Sequence, residues 1–234
     1  MNFYVLENPD GRGCSFWEDD EIDNPDYDHP VVCKLDPLHS RRQMNYGTKR
    51  YFYEDEDARI NRSYDLYEGS PFYLLARRPV IDAMRAVGLT GWVAQNVAVR
   101  YLNGDRSDDF FEIWPTGFGG IAPAAIGNIG LWHCPSCQKT KYRGNLEFSK
   151  IEPYLHHDGS DFFVTWPLTS RVLCTPRARA TLKKFKSKLK FLDIAESATS
   201  MEYGDGSLHP EFSASGRSEI QRYLKLVPPF KPCN

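Results

Sequence analysis

Residues 172–194, VLCTPRARATLKKFKSKLKFLDI, predict a strand, a helix and a second strand in direct succession. The three residues at the start are typical of a strand. Thr175 is a favourable helix N-cap, and Pro176 suits the first helical position, where no N–H is needed. Apolar side chains then recur at intervals of three and four, as on the buried side of a helix: Leu182, Phe185 and Leu189. The largely apolar residues 191–195 predict the closing strand.

Residues 74–94 repeat this arrangement 98 positions earlier, with Arg78-Pro79 opening the helix and Gly88 ending it. The aligned apolar positions are Leu74 with Val172, Leu75 with Leu173, Met84 with Leu182 and Val87 with Phe185. A second internal similarity relates residues 109–115 (DFFEIWP) to residues 161–167 (DFFVTWP), which are identical at five of seven positions with an offset of 52. Because the two offsets differ, the pattern predicts two related strand–helix–strand units with related strands between them, and not a solenoid.

The fold class expected from these units is α+β, with mixed or antiparallel sheets and a few helices. Residues 1–70 are the predicted acidic N-terminal region: residues 3–6 predict a short strand, and the Tyr-rich residues 12–70, with few periodic segments, predict long loops and short helices packed on the core. Residues 71–196 form the predicted core with both units. Residues 197–234 are rich in Ser, Gly and Pro and predict a surface-packed tail, with one short helix at 220–224. The whole is expected to be one compact domain.

Composition excludes several classes of protein. The 234 residues are 41% hydrophobic and 26% charged, which argues against disordered, collagen-like and coiled-coil proteins. No run of 18 apolar residues is present, and the first residues lack the features of a signal peptide. Six cysteines in 234 residues are too dilute for a disulfide scaffold. We therefore expect a cytoplasmic protein with reduced thiols and no membrane partner.

A net charge of −2 conceals a strong division of charge along the chain. Residues 1–70 carry 16 acidic and 8 basic side chains (−8), whereas residues 171–192 carry eight basic and no acidic side chains (+8). This division would be explained by two solvated surfaces, or by an acidic surface that packs against the basic one within the fold. The alternative is an acidic docking surface for a basic protein partner. This much negative charge disfavours nucleic acid as a partner. That surface would comprise Glu18, Asp19, Asp20, Glu21, Asp23, Asp26, Asp28, Glu54, Asp55, Glu56 and Asp57.

Cys134-Pro135-Ser136-Cys137 is the sharpest local motif. Two thiolates three residues apart can bind one zinc ion, because the intervening turn directs both sulfurs to one point. A structural zinc site needs four ligands and the chain has no second CxxC, so the others would come from a distance. The candidates are His133, His156, His157, Cys14, Cys33 and Cys174. A redox pair and an ordinary turn with two unreactive thiols are the other interpretations.

The one compact group of histidine and acidic residues is His156-His157-Asp158 with Asp161. Such a group could supply a general base or a metal ligand, so a hydrolase-type enzyme using His156, His157 and Asp161 is a third hypothesis. No Ser or Cys nucleophile accompanies it. Asp109 and Asp161 fit turn or cap residues better than a catalytic pair. The basic stretch 177–190 fits a core-packed helix with a solvated outer side. Overall, the sequence favours a protein without catalytic activity.

The chain resembles a bacterial paralogue family named for its double CxxCG motif, and related immunity proteins of polymorphic toxin systems. The residues that carry the resemblance are Cys134-Pro135-Ser136-Cys137, Asp161-Phe162-Phe163, and Val172-Leu173-Cys174-Thr175 with the helix to Lys190 and the strand to Ile194. The unit at 74–94 resembles the family's earlier one, and the likeness spans about residues 70–196. It implies a binding role, the occlusion of a toxin made by the same or neighbouring cells. An acidic surface suits that role, because it steers a basic toxin.

Overall fold

The structure is a computed structural model. It describes residues 2–7, 16–18, 28–31, 33–34, 41–44, 50–54, 62–69, 73–121, 130–136, 140–147, 156–169, 171–187, 189–196, 200–205 and 214–225. Within these ranges, no helix is both long enough and apolar enough to cross a membrane. The strands are β1 (Tyr4–Glu7), β2 (Phe16–Glu18), β3 (Asp28–Val31), β4 (Arg41–Met44), β5 (Arg50–Glu54), β6 (Leu66–Gly69), β7 (Tyr73–Arg77), β8 (Trp92–Arg100), β9 (Arg106–Pro115), β10 (Gly117–Ile121), β11 (Gly130–His133), β12 (Thr140–Glu147), β13 (Phe162–Trp166), β14 (Leu173–Cys174), β15 (Lys190–Asp193) and β16 (Ser200–Asp205). The helices are α1 (Arg78–Ala86), α2 (Pro176–Leu182) and α3 (Ala214–Leu224), with a 3-10 turn at Ile194–Glu196. This combination confirms the predicted α+β class.

Six strands close into a barrel in the order β2-β5-β8-β9-β7-β6. The long hairpin β8–β9 forms its middle, and a parallel contact of Phe16 in β2 with Gly69 in β6 closes it. Alternate residues of β9 point to opposite sides. Phe110 lies in the cluster that fills the barrel, whereas Phe111 and Ile113 pack with the helices outside. The buried cluster inside consists of Phe52, Tyr67, Leu75, Val97, Val99, Tyr101, Phe110 and Trp114.

A five-stranded mixed sheet with the order β10-β13-β14-β1-β15 lies beside the barrel. Only β10 and β13 pair in parallel among the described strands of this sheet. Strand β1 lies between β14 and β15, so Tyr4 is opposite both Cys174 and Asp193. The first described strand is therefore part of the sheet's interior.

The two predicted strand–helix–strand units are present, and they share one topology. In β7-α1-β8, the two strands are parallel and flank the antiparallel strand β9. In β14-α2-β15, the two strands are likewise parallel and flank β1. Helices α1 and α2 pack in one core cluster, to which they contribute Val80, Ile81, Met84, Ala178 and Leu182. The related sequences thus build related units that meet through their helices.

Helix α2 is shorter than predicted. Its start is as expected, because the Thr175 side chain accepts a hydrogen bond from the backbone N–H of Ala178 and Pro176 is the first helical residue. The helix ends at Leu182, however, and does not continue to Lys190. The backbone turns there because Lys186 pairs with Asp65, the residue before β6: the Asp65 N–H donates to the Lys186 carbonyl at 2.8 Å. A tertiary contact has overridden the helical periodicity.

Most of the described residues between 12 and 70 lie in strands where the sequence predicted loops and short helices, the exceptions being residues 33–34 and 62–65. The strands extend because each finds a partner strand, β5 on β8 and β6 on β7 for example. In the predicted tail, β16 pairs with β12 and α3 spans more residues than the five expected at 220–224. Helix α3 lies so close to β10 that a Cβ at Gly216 would be 2.8 Å from the ring of Phe118.

Candidate functional site

Two cysteine thiols from distant parts of the chain meet in the structure. Cys33 follows β3 and Cys134 follows β11, and their Sγ atoms lie 3.5 Å apart although 101 positions separate them. Both residues are buried, with 3% and 0% of their surface exposed. Of the proposed distant ligands for the CxxC motif, the structure therefore brings Cys33 to Cys134. Cys137 lies outside the described residues.

His133 precedes Cys134 at the end of β11, where it is opposite Thr140 of β12. Its Nδ1 is 2.9 Å from the Thr140 hydroxyl oxygen, and burial lowers the pKa of the imidazole. A neutral imidazole anchored through one nitrogen can bind a metal with the other. Nevertheless, no group of three or more His, Cys, Asp or Glu side chains suited to a metal occurs among the described residues, so His133 does not complete a set with Cys33 and Cys134 there.

The other two histidines proposed as ligands lie against a different sheet. The backbone N–H of His156 donates to the carbonyl oxygen of Gly119 in β10. The His157 ring packs against Phe3 and Phe163, and its Nε2 contacts the Ser160 carbonyl oxygen. Within the described chain, the structure thus does not bring His156 and His157 into a metal-binding group with Cys134.

Asp161 has a structural environment that differs from the one expected of a catalytic base. It is 3% exposed, and its two oxygens accept hydrogen bonds from the Thr90 N–H at 2.9 Å, the Thr175 hydroxyl at 2.8 Å and the Arg177 guanidinium. Burial alone would raise the pKa of this carboxyl group, but the hydrogen bonds from Arg177, Thr175 and Thr90 outweigh it and lower the pKa. The side chain fastens the start of α2 to the connection between α1 and β8.

The repeated sequence DFF gives two related contacts. Asp109, the counterpart of Asp161, is exposed, and its carboxylate lies 3.7 Å from the guanidinium of Arg77, which directly precedes α1. Asp161 pairs with Arg177 in the first turn of α2. In both copies the aspartate thus faces an arginine at the start of a helix. Asp161 directly precedes β13, which agrees with its interpretation as a turn residue, whereas Asp109 lies within β9 and is neither a turn nor a cap residue.

Glu54 is not part of an exposed acidic surface. It is 6% exposed, and its carboxylate accepts hydrogen bonds from Arg62 at 3.2 Å and from the backbone N–H of Leu102 at 3.0 Å. The prediction fails here because Glu54 ends β5, a strand of the barrel. Glu18 and Asp28 lie in β2 and β3. The other residues proposed for this surface, Asp19, Asp20, Glu21, Asp23, Asp26, Asp55, Glu56 and Asp57, lie outside the described residues.

Helices α1 and α2 form a basic face. Hydrogen bonds connect the two helices at both ends of α1. After α1, the Arg177 guanidinium donates to the carbonyl oxygen of Gly88 at 3.0 Å. Before α1, the backbone of Asp65 donates to the Lys186 carbonyl and accepts from the Arg77 N–H. The exposed cations on these helices and the turn after α2 are Arg78, Arg85, Arg177, Lys183, Lys184 and Lys186. We call these six residues the basic face. One exposed acid, Asp82, lies among them, 3.9 Å from Arg85.

Sequence reasoning missed which distant thiol meets Cys134, and it missed the role of Thr90. Cys33 was one of six candidates and carries no local signal that singles it out. Thr90 lies two positions after Gly88, and its contact with Asp161 depends on the packing of the two units. The sequence matches no protein-family model, and no curated protein matches it with significance.

Proposed function

We propose that this chain is a non-enzymatic, cytoplasmic binding protein, and more narrowly an immunity protein that neutralises a cognate bacterial toxin by direct contact. The contact is made by an acidic surface, which we define as Glu18, Asp19, Asp20, Glu21, Asp23, Asp26, Asp28, Asp55, Glu56 and Asp57. The resemblance to immunity proteins supports the toxin as partner. The charge division between this surface and the basic face supports binding.

The observation that carries the proposal is the charge division of the sequence, with −8 in residues 1–70 and +8 in residues 171–192. The described contacts of the basic face are the following. In the described part of the chain, Arg177 pairs with Asp161, and Asp65 accepts from the backbone N–H of Lys186 at 3.0 Å. Neither carboxylate belongs to the acidic surface. Lys183 and Lys184 are exposed, and neither has a carboxylate of a described residue within 4.0 Å. Within the described residues, the carboxylates that contact the basic face thus come from outside the acidic surface, which is compatible with an external partner for that surface.

A dense acidic surface would act mainly on the rate of association. Long-range attraction between opposite charges raises association rates by about 10- to 1000-fold, and the gain disappears as salt screens the charges. A toxin that binds nucleic acid or a membrane carries the basic surface that such steering needs. The immunity protein then captures its toxin before the toxin reaches its target.

The test uses the full chain as bait in its source cells, beside two variants. One variant replaces Asp19, Asp20, Glu21 and Asp23 with lysine. The matched control replaces four exposed acids outside the acidic surface, Asp82, Asp105, Asp108 and Glu219, with lysine. We expect a protein retained by the wild type and the control, released by the acidic-surface variant, and toxic to cells unless the wild type is co-expressed. Its association rate should fall at least about tenfold in the acidic-surface variant at low salt. Equal rates for both variants would exclude the acidic surface as the contact.

A second candidate function is zinc binding by the motif that contains Cys134 and Cys137. The contact between Cys33 and Cys134 favours zinc binding, because thiolates are preferred zinc ligands and the chain has no second CxxC to supply further thiolates. Metal analysis of the chain, purified without chelator under reducing conditions, tests it. Less than about 0.1 zinc per chain would exclude a structural site, which binds one ion per chain.

A further inference from the structure

Cys33 and Cys134 form a buried pair of thiols that the proposed acidic contact does not use. Both thiols are reduced in the structure, and their Sγ atoms lie 3.5 Å apart. This distance is a hydrogen-bond contact for sulfur, so one thiol directs its S–H bond at the other sulfur. The sulfurs of a disulfide are about 2.05 Å apart, so each sulfur has to move by about 0.7 Å to form one. Rotation about the two Cα–Cβ bonds is enough for a shift of this size.

The thiol pair lies directly beneath the surface of the protein. Cys134 itself is buried, but Pro135 and Ser136, the two residues that follow it, are exposed. Cys33 is likewise buried and is followed by the exposed Lys34. Both cysteines therefore stand where the chain passes from the interior to the solvent. Because opening of a surface turn costs less free energy than unfolding of the core, a small oxidant reaches these sulfurs through local opening.

Cys174 lacks such a route from the solvent. It lies in β14, and its chain neighbours Leu173 and Thr175 are buried with it. Burial also raises the pKa of the Cys174 thiol far above its usual range. The thiolate is the form of cysteine that reacts with oxidants, and it is therefore scarce at this position. Cys174 serves as an internal control that stays a thiol.

Joining the two sulfurs requires an oxidant, and hydrogen peroxide is a sufficient one. One thiol of the pair loses its proton, and the thiolate attacks an oxygen of peroxide. The O–O bond breaks, a sulfenic acid forms, and the departing hydroxide takes up the proton and becomes water. The second sulfur then attacks the sulfenic sulfur, and the sulfenic oxygen leaves as a second water with the proton of the second thiol. The pair loses two electrons and two protons, and a dithiol restores it by exchange.

We propose that Cys33 and Cys134 form a reversible disulfide site, and that oxidation there ties the strand pair β3–β4 to the sheet β11–β12–β16. The two parts share no strand pairing in the described residues, so the disulfide adds a link that the strands do not provide. It joins residues 101 positions apart, and closing so long a loop removes many conformations from the unfolded chain. Oxidation should therefore stabilise the fold. A disulfide that forms and breaks with the oxidant is the kind that reducing compartments allow.

The experiment exposes the full chain, freed of reductant, to hydrogen peroxide with and without a zinc chelator. Mass spectrometry before reduction then identifies the linked peptides. We expect a bond between Cys33 and Cys134 in the wild type and in Cys137→Ser, and its loss in Cys33→Ser and Cys134→Ser. Cys137→Ser is the matched control, because it removes the other half of the CxxC motif and leaves the proposed pair in place. Cys174 should remain a thiol in every sample.

Two further measurements use the wild type, so that a misfolded variant does not decide the result. Oxidation should raise the Tm by at least about 5 °C, and a dithiol should reverse the rise. Oxidation of the chain in urea gives the reference without tertiary contacts. There the short loop between Cys134 and Cys137 closes more easily than the long one, so the yield of the bond between Cys33 and Cys134 should be at least about tenfold lower than in the folded chain.

Each outcome supports or overturns the site. A bond between Cys134 and Cys137 in the folded wild type overturns it, and so does the absence of a bond between Cys33 and Cys134 both with and without chelator. Equal yields in the folded and the urea-unfolded chain, or an oxidised chain whose Tm does not rise, would also overturn it, because the bond would then not depend on the native contact. A bond that forms only with chelator supports the pair and means that a metal competes for the same sulfurs.

Discussion

Asp161→Asn tests the interpretation that a buried carboxylate holds the two strand–helix–strand units together. Asp161 sits at the start of β13 and accepts hydrogen bonds from Thr90 beyond α1 and from Thr175 and Arg177 at the start of α2. Asparagine keeps the shape and one accepting oxygen, but it loses the charge and turns an N–H₂ group toward these donors. The substitution therefore removes the charged hydrogen-bond acceptor between the units and leaves the packing of the side chain nearly unchanged.

The expected loss is about 3 kcal/mol in the free energy of unfolding at pH 7. A hydrogen bond to a charged group contributes about 1.5–3 kcal/mol, which we apply to the buried donor Thr175. The Arg177 side chain is 57% exposed, so solvent screens its pairing and it adds nothing to this figure. The upper end of the range applies because the backbone N–H of Thr90 loses the same carboxylate. For a chain of this length, about 3 kcal/mol corresponds to a fall in Tm of about 6–12 °C.

The loss should also depend on pH with a defined sign. Although burial opposes it, hydrogen bonding from Arg177, Thr175 and Thr90 lowers the pKa of Asp161 in the folded chain. A lowered folded pKa means that the stabilisation is fully present above the unfolded pKa of about 3.9 and is lost as the pH falls through the folded pKa. The difference between wild type and Asp161→Asn should therefore narrow below about pH 4.

Urea unfolding, followed by circular dichroism at pH 7 and in steps down to pH 3, measures this difference. The matched control is Asp82→Asn, an exposed carboxylate on α1 whose nearest cation, Arg85, is 3.9 Å away. We expect the control to lie within about 0.5 kcal/mol of the wild type. A stability of Asp161→Asn equal to that of the control at pH 7, or a difference that stays constant with pH, would refute the reasoning.

Two further substitutions test the packing. Gly91→Ala should lower the free energy of unfolding by at least about 3 kcal/mol, because φ of Gly91 is +77° and a Cβ would lie 2.2 Å from the carbonyl oxygen of Phe162. The control is Gly88→Ala, where φ is +65° and a Cβ would have nothing within 4 Å. Its expected cost is only about 1–2 kcal/mol. Equal losses in urea unfolding would contradict the close approach. Phe110→Ala should cost about 3–5 kcal/mol by emptying the barrel interior, against about 0.5 kcal/mol or less for the 56% exposed Leu102→Ala. A thermal melt in which both variants lose the same stability would mean that Phe110 is not packed as described.

Local signals predicted the two units well. The pair Thr175-Pro176 marks the start of α2, and Arg78-Pro79 marks the start of α1, because capping and the first helical turn depend on neighbouring residues alone. The related periodicity of the two segments correctly indicated related topology. Where a distant contact competes, the local pattern fails, as in the turn at Lys186 that shortens α2.

The remaining features depend on contacts between distant residues, and no local pattern carries them. Glu54 belongs by composition to an acidic run, yet its strand joins the barrel, and the carboxylate is buried against Arg62. Cys33 meets Cys134 across 101 positions, which a single sequence cannot select from the other candidates. The barrel likewise closes through the pairing of β2 with β6, and the sequence of neither short strand indicates which strand it pairs with.

The position of β1 between β14 and β15 has a consequence for synthesis on the ribosome. Val5 is made 168 residues before Leu173, with which it pairs. At about 5–20 residues per second, the first strand waits about 8–34 s for its partners, with its backbone N–H and C=O groups unpaired by either neighbour. The five-stranded sheet therefore cannot form during translation of the first two thirds of the chain. A chaperone that shields this segment should raise the yield of folded protein.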